Sequence, residues 1–163
     1  MAVRVEALMD IGSGKGYPSS ALSNFAPHAF EFDGVQVASM EGLLQAFKFD
    51  KIHMQLEVVK NVGLVAKKRG SGRSKHWQRV QKLWWAGETF DRHGPEYQAL
   101  LDRAYTALAT NEGFRRALLA SGVSTLTHSI GRRDPRETVL TQAEFCRRLT
   151  RLRSDLQQAG GNK

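Results

Sequence analysis

Asp33-Gly34 stands between two short alternating segments, Ala29 to Phe32 and Val35 to Ala38, and this pairing predicts a two-residue β-hairpin. Both central residues of such a turn take positive φ, which Asp and Gly tolerate better than other residues. The hairpin then delivers the chain directly into a helix. Ser39 is placed to cap it, and Met40, Leu43, Leu44 and Phe47 recur at the spacing of one buried helical face. At 100° per residue, Glu41, Gln45 and Lys48 fall together in a sector roughly 60° wide beside that face. A carboxylate, an amide and an ammonium therefore share the border of the core, where a cleft can use all three.

The remaining elements read mainly as helix. A segment over 52–60 is followed by a short helix capped by Asn61 and ending near Gly70, then a basic loop, Ser71 to Ser74. The spacing of Trp77, Val80 and Trp84 predicts a further amphipathic helix from Lys75, broken by Glu88 to Gly94. Pro95 suits the first turn of the next helix, whose inner face is Tyr97, Leu100, Leu101, Ala104 and Leu108. Asn111 caps another, with Phe114, Leu118 and Leu119 inward and Gly122 at its stop. Residues 124–128 suit a short strand, 131–137 a loop, and Thr141 with Glu144 forms a capping box opening the last helix. The expected fold class is α+β and mainly helical: a small sheet or hairpin with six or seven helices in one domain. Residues 1–21 read as a lead-in, 22–156 as the domain, and 157–163 as a flexible tail.

The 163 residues carry a formal net charge of +8, which favours acidic partners such as nucleic acid or phosphorylated metabolites. The charge gathers at Lys67, Lys68, Arg69, Arg73 and Lys75, and again at Arg132, Arg133 and Arg136. A solvated basic face is the plain alternative. The apolar runs are too short to cross a bilayer and no charged-then-apolar leader is present, so the cytoplasm is the expected compartment and no membrane contact is expected. Cys146 has no partner for a disulfide and reads as a packed helical residue. No His, Cys or Asp cluster has metal-ligand spacing, and no cofactor is expected. No helix-turn-helix or zinc-finger signature supports a groove-binding protein.

In order, Leu22-Ser23-Asn24-Phe25, Phe32-Asp33-Gly34, Ser39-Met40-Glu41 and Leu44-Gln45-Ala46-Phe47-Lys48-Phe49 resemble the NADAR (YbiA-like) family, which includes riboflavin-intermediate N-glycosidases. The likeness continues through His76 to Val80, Phe114 to Ala120 and Leu149 to Arg153. The family's Trp-Gly-containing loop is replaced here by Ser129 to Thr138. The resemblance implies hydrolysis of a C1′–N bond, in phosphoribosylamino flavin precursors or in ADP-ribosylated guanine, free or within nucleic acid. It implies Glu41 as the essential carboxylate, with Asn24, Phe25, Gln45, Lys48 and Trp77 lining the pocket.

Beside that implication stand the residues' own readings. Glu41 lies in a first turn, where the helix dipole favours the ionised form and carboxylates commonly cap. Gln45 suits a ribose hydroxyl, a base edge or plain solvent; Lys48 suits a phosphate or an answer to Glu41's charge. Asn24 either holds its loop by an Asx turn or touches ligand. Phe25 and Trp77 suit a stacking platform or the core. Arg69, Arg73 and Lys75 suit phosphate or pyrophosphate, or a solvated face; Arg132 is a further substrate-binding candidate, Asp134 a candidate second catalytic acid, and His128 a proton donor or a structural residue at a strand end. A non-catalytic ADP-ribose or nucleic-acid binder on the same scaffold is the competing function.

Overall fold

Strand β1 (Leu8–Asp10) opens the part of the chain that the structure, a computed structural model, describes: residues 7–161. A short helix, α1 (Ser19–Leu22), comes next. Strands β2 (Phe30–Phe32) and β3 (Val35–Val37) then pair antiparallel, Phe30 opposite Val37 and Phe32 opposite Val35. Asp33 and Gly34 have φ of 49° and 80°, the all-positive turn that their chemistry predicts.

Helix α2 (Met40–Ala46) starts where Ser39 accepts a hydrogen bond from Gly42 N at 3.1 Å. The same hydroxyl donates to the Asn61 carbonyl at 2.9 Å, tying the cap to a neighbouring segment. Met40, Leu43, Leu44 and Phe47 are all at most 3% exposed, each contributing about 1.5–3 kcal/mol of burial. Helices α3 (Ile52–Val58) and α4 (Gly63–Ser71) pack on this element, and α5 (Ser74–Val80) follows. Asn61 does not cap α4; its Nδ2 donates to the carbonyls of Glu57 and Val58 and closes α3 instead.

The helix expected through Trp84 ends at Val80. Gln81 takes a left-handed φ of 54°, and strands β4 (Lys82–Trp85) and β5 (Glu88–Asp91) form a second hairpin across Ala86 and Gly87. Tertiary hydrogen bonds overrule the helical period there. Trp84 N donates to Phe47 O at 2.8 Å, and Gln55 Nε2 donates to the carbonyls of Phe49 and Trp84. Gln55 Oε1 also accepts from Ala86 N. Trp85 stacks on Phe32 and meets Phe47 edge-on, with ring centres 5.7 and 5.8 Å apart.

Helix α6 (Pro95–Leu108) buries all five residues of its expected inner face. In α7 (Glu112–Ala120), Asn111 caps by accepting from Phe114 N. Leu119, expected inward, is 49% exposed; Ala117 takes its place beside Phe114 and Leu118. Strand β6 (Thr125–Thr127) pairs parallel with β1, so the lead-in is built into the domain, and α8 (Gln142–Gly161) closes the chain. Its helix continues past residue 156, into the expected tail. Residues 1–6 of the expected lead-in and 162–163 of the expected tail lie outside the described residues. The α+β, mainly helical class holds, with eight helices and three two-stranded sheets among the described residues.

Candidate functional site

A cavity of about 380 Å³ opens between α2, the Ser23–Phe25 loop, α4, α5 and the stretch after β6, within the range of small-molecule sites. Glu41, Gln45 and Lys48 form its α2 wall. The entrance of that helix is fixed twice: by Ser39, and by Glu41 N donating to Asn24 O at 3.1 Å. Asn24 is held in turn by the Tyr105 hydroxyl, which donates to Oδ1 at 2.8 Å and leaves Nδ2 for a ligand.

Glu41 Oε1 accepts from Gln45 Nε2 at 2.9 Å. Burial raises the Glu41 pKa above its ordinary value, against the pull of the Gln45 hydrogen bond and the charges of Lys48, Lys67 and His128. The preference for ionisation expected from the helix entrance is thus overridden by desolvation. Lys48 is only 9% exposed and donates from Nζ to Ser74 Oγ at 3.1 Å. Burial pushes it down to about 8, with Glu41 opposing and Lys67 reinforcing the shift. Glu41 and Lys48 thus have their ionisations drawn towards one another, a common arrangement in acid–base sites.

Trp77, 1% exposed, lies in the cavity wall, and its Nε1–H has no acceptor among the described residues. Gln45 Oε1 is likewise buried with no donor among the described residues. Phe25 is half-buried at the edge, and Arg132 stands exposed at the mouth, 3.6 Å from Glu137. The other expected residues lie elsewhere. Arg69 is exposed on α4, outside the lining. Arg73 faces Asp50 at 3.8 Å and lies 5.9 Å from the Phe49 ring centre. Asp134 is exposed and accepts from Arg136 N in a local turn. The loop carboxylate that reaches the cavity is Glu137. Cys146 is half-buried in α8, its thiol pushed up to about 11 by burial, as suits packing.

Lys67 and His128 also line the cavity. Lys67 projects from α4 one turn before Ser71, which also lines it; its position in a run of three cations hid it in the sequence. His128 Nδ1–H donates to Ile11 O at 2.8 Å, which leaves Nε2 as the second functional nitrogen. Its segment is anchored by Asp10, which accepts from Ser129 N and Thr127 Oγ1 and pairs with Lys15 at 3.0 Å. The Ser129 hydrogen bonds hold the Asp10 carboxyl well below the usual carboxylate range. Among the described residues no three His, Cys, Asp or Glu side chains gather as a metal site, and no helix is long and apolar enough to cross a membrane.

This arrangement sits on a YbiA-like fold. The solution structure of E. coli YbiA matches with a TM-score of 0.64, covering 99% of this chain and 91% of that one at 16% identity. The chain belongs to the bacteriophage protein GP30.3 family, whose model matches residues 16–154. It is similar to the uncharacterized 17.1 kDa protein of the Gp30–rIII intergenic region of Enterobacteria phage T4, 38% identical over 150 residues, 91% of this chain and 98% of that one. The YbiA-like resemblance read from residues 22–153 therefore extends to the whole fold.

Proposed function

We propose that this protein is an N-glycosidase that hydrolyses the C1′–N bond of a phosphorylated N-ribosyl or ADP-ribosyl substrate. The observation that carries the reading is one half-buried carboxylate, Glu41, held by Gln45 in a cavity that Lys48 and Lys67 also line. As the bond breaks, positive charge gathers on the ribose. An ionised Glu41 stabilises that charge and takes a proton from the water that attacks C1′; its raised pKa makes it a stronger base once ionised. His128, in the same lining, returns a proton to the departing nitrogen in this reading. Lys48, Lys67 and, at the mouth, Arg132 favour phosphate groups, while Phe25 flanks the base.

The test is direct. The protein is incubated with an oligonucleotide carrying ADP-ribosylated guanine and, separately, with a phosphoribosylamino-pyrimidine, and release of ADP-ribose or ribose phosphate is followed. Glu41→Gln should lower the rate about 10²–10⁴-fold; equal rates remove Glu41 from the chemistry. The second reading, a non-catalytic ADP-ribose or nucleic-acid binder, is favoured by the burial that disfavours charge on Glu41. Tight binding without turnover of either substrate would select it.

A further inference from the structure

Gly70 lies buried inside α4, where it faces α2. Glycine within a helix costs about 1 kcal/mol relative to alanine, so its presence calls for a packing reason. Gln45 supplies one. A methyl group on the Gly70 Cα would overlap Gln45 Oε1 and stand 2.7 Å from Cδ and 2.9 Å from Cβ. The Gln45 side chain therefore lies across the bare Cα of the facing helix.

That contact decides more than space. With Oε1 turned to Gly70, Nε2 points at Glu41 Oε1 and donates at 2.9 Å. Turning the amide over would set oxygen against oxygen, which an ionised carboxylate resists. We propose that Gly70 is a positioning residue for Glu41, acting through Gln45: its missing side chain makes room for the carboxamide whose N–H holds Glu41 in its ionised form. Burial works against that form, so the single amide donor counts. The catalytic consequence rests on the N-glycosidase reading, whereas the coupling of Gly70, Gln45 and Glu41 does not.

The experiment is a carboxyl ¹³C titration of Glu41 in the wild type, Gly70→Ala, Gln45→Ala and the double variant, each checked for fold by circular dichroism. Gly70→Ala should raise the Glu41 midpoint by about one pH unit, as expected for loss of one hydrogen bond to an ionised group. The double variant should titrate like Gln45→Ala alone, because both changes remove the same bond. An unmoved midpoint in Gly70→Ala, or shifts that add in the double variant, would overturn the proposal. Should Gly70→Ala alone fail to fold, restored folding in the double variant supports the contact, and continued failure refutes it. Where turnover is found, the acidic limb of the pH–rate profile should move with the titration. Absence of turnover would count against the N-glycosidase reading and leave the titration to judge the coupling.

Discussion

Arg92 grips Glu144 with both terminal nitrogens, Nη1 to Oε2 at 3.1 Å and Nη2 to Oε1 at 2.7 Å, in a pair that ties β5 and its turn to the start of α8. The Arg92 side chain is 1% exposed and that of Glu144 10%. Glu144 is also the far end of the capping box: Thr141 N donates to its Oε1, and Glu144 N donates to Thr141 Oγ1. Gln98 Nε2 completes its shell at 2.6 Å. The cavity's far wall, residues 137–140, runs just before this knot.

Burial alone would raise the Glu144 pKa, but the Arg92, Gln98 and Thr141 hydrogen bonds outweigh it, and the carboxyl ends below its ordinary value. A folded value below the unfolded one gives stability that is complete above the unfolded pKa, about 4.3, and is lost as pH falls through the folded value. Glu144→Gln should therefore cost about 3–5 kcal/mol at neutral pH, lowering Tm on the order of 10 °C. The gap from wild type should narrow in acid. A gap that stays constant on acidification would show that the pair does not act through charge.

On the N-glycosidase reading, Lys48 should give the pH–rate profile an upper ionisation near pH 8, while Glu41 gives a lower one above its ordinary value. Lys48→Arg, which stays protonated throughout, should abolish the upper one in a kcat/KM profile. An unchanged profile would assign it to another group. Trapping with cyanoborohydride during turnover reads the nucleophile directly. An unmodified protein mass fits attack by water; a ribosyl adduct at Lys48 would replace water with its amine.

Trp77→Phe removes a buried N–H that has no acceptor among the described residues. Losing that orphan offsets part of the lost packing, so stability should change by about 1 kcal/mol. Affinity for ADP-ribose, measured calorimetrically, should fall about tenfold if the indole N–H meets the ligand. Unchanged affinity would leave Trp77 as wall alone.

Arg69→Ala, Arg73→Ala and Asp134→Ala alter groups outside the cavity lining. At about 0.15 M salt, partly exposed charges that a ligand does not touch are largely screened, and Arg73 meets the cavity wall only through its Nε, which donates to Lys48 O at 3.5 Å. Each should leave ADP-ribose affinity within about twofold, while Lys67→Ala should weaken it clearly. A large loss from Arg73→Ala would show that the ligand extends past the cavity mouth.

The sequence carried the α2 wall almost whole. Asp33-Gly34 fixed the first turn, Ser39 the helix start, and the 3.6-residue period put Glu41, Gln45 and Lys48 on one edge, because these are local preferences of the backbone. The capping box at Thr141 and the Asn111 cap were legible for the same reason. Trp84 was not: its helical spacing from Trp77 is also compatible with a strand, and only Phe47 O and Gln55, far away in the chain, settle which.

Which cations face the cavity was equally a tertiary matter. Lys67 and Arg69 stand two residues apart in one basic run, yet the way α4 packs on α2 turns one to the cavity and the other to solvent. The ionisation of Glu41 obeyed the same logic. Its place in the helix is local and argued for charge; the burial that opposes charge comes from elements distant in sequence. Local chemistry set which groups the chain offers, and long-range packing decided which of them meet.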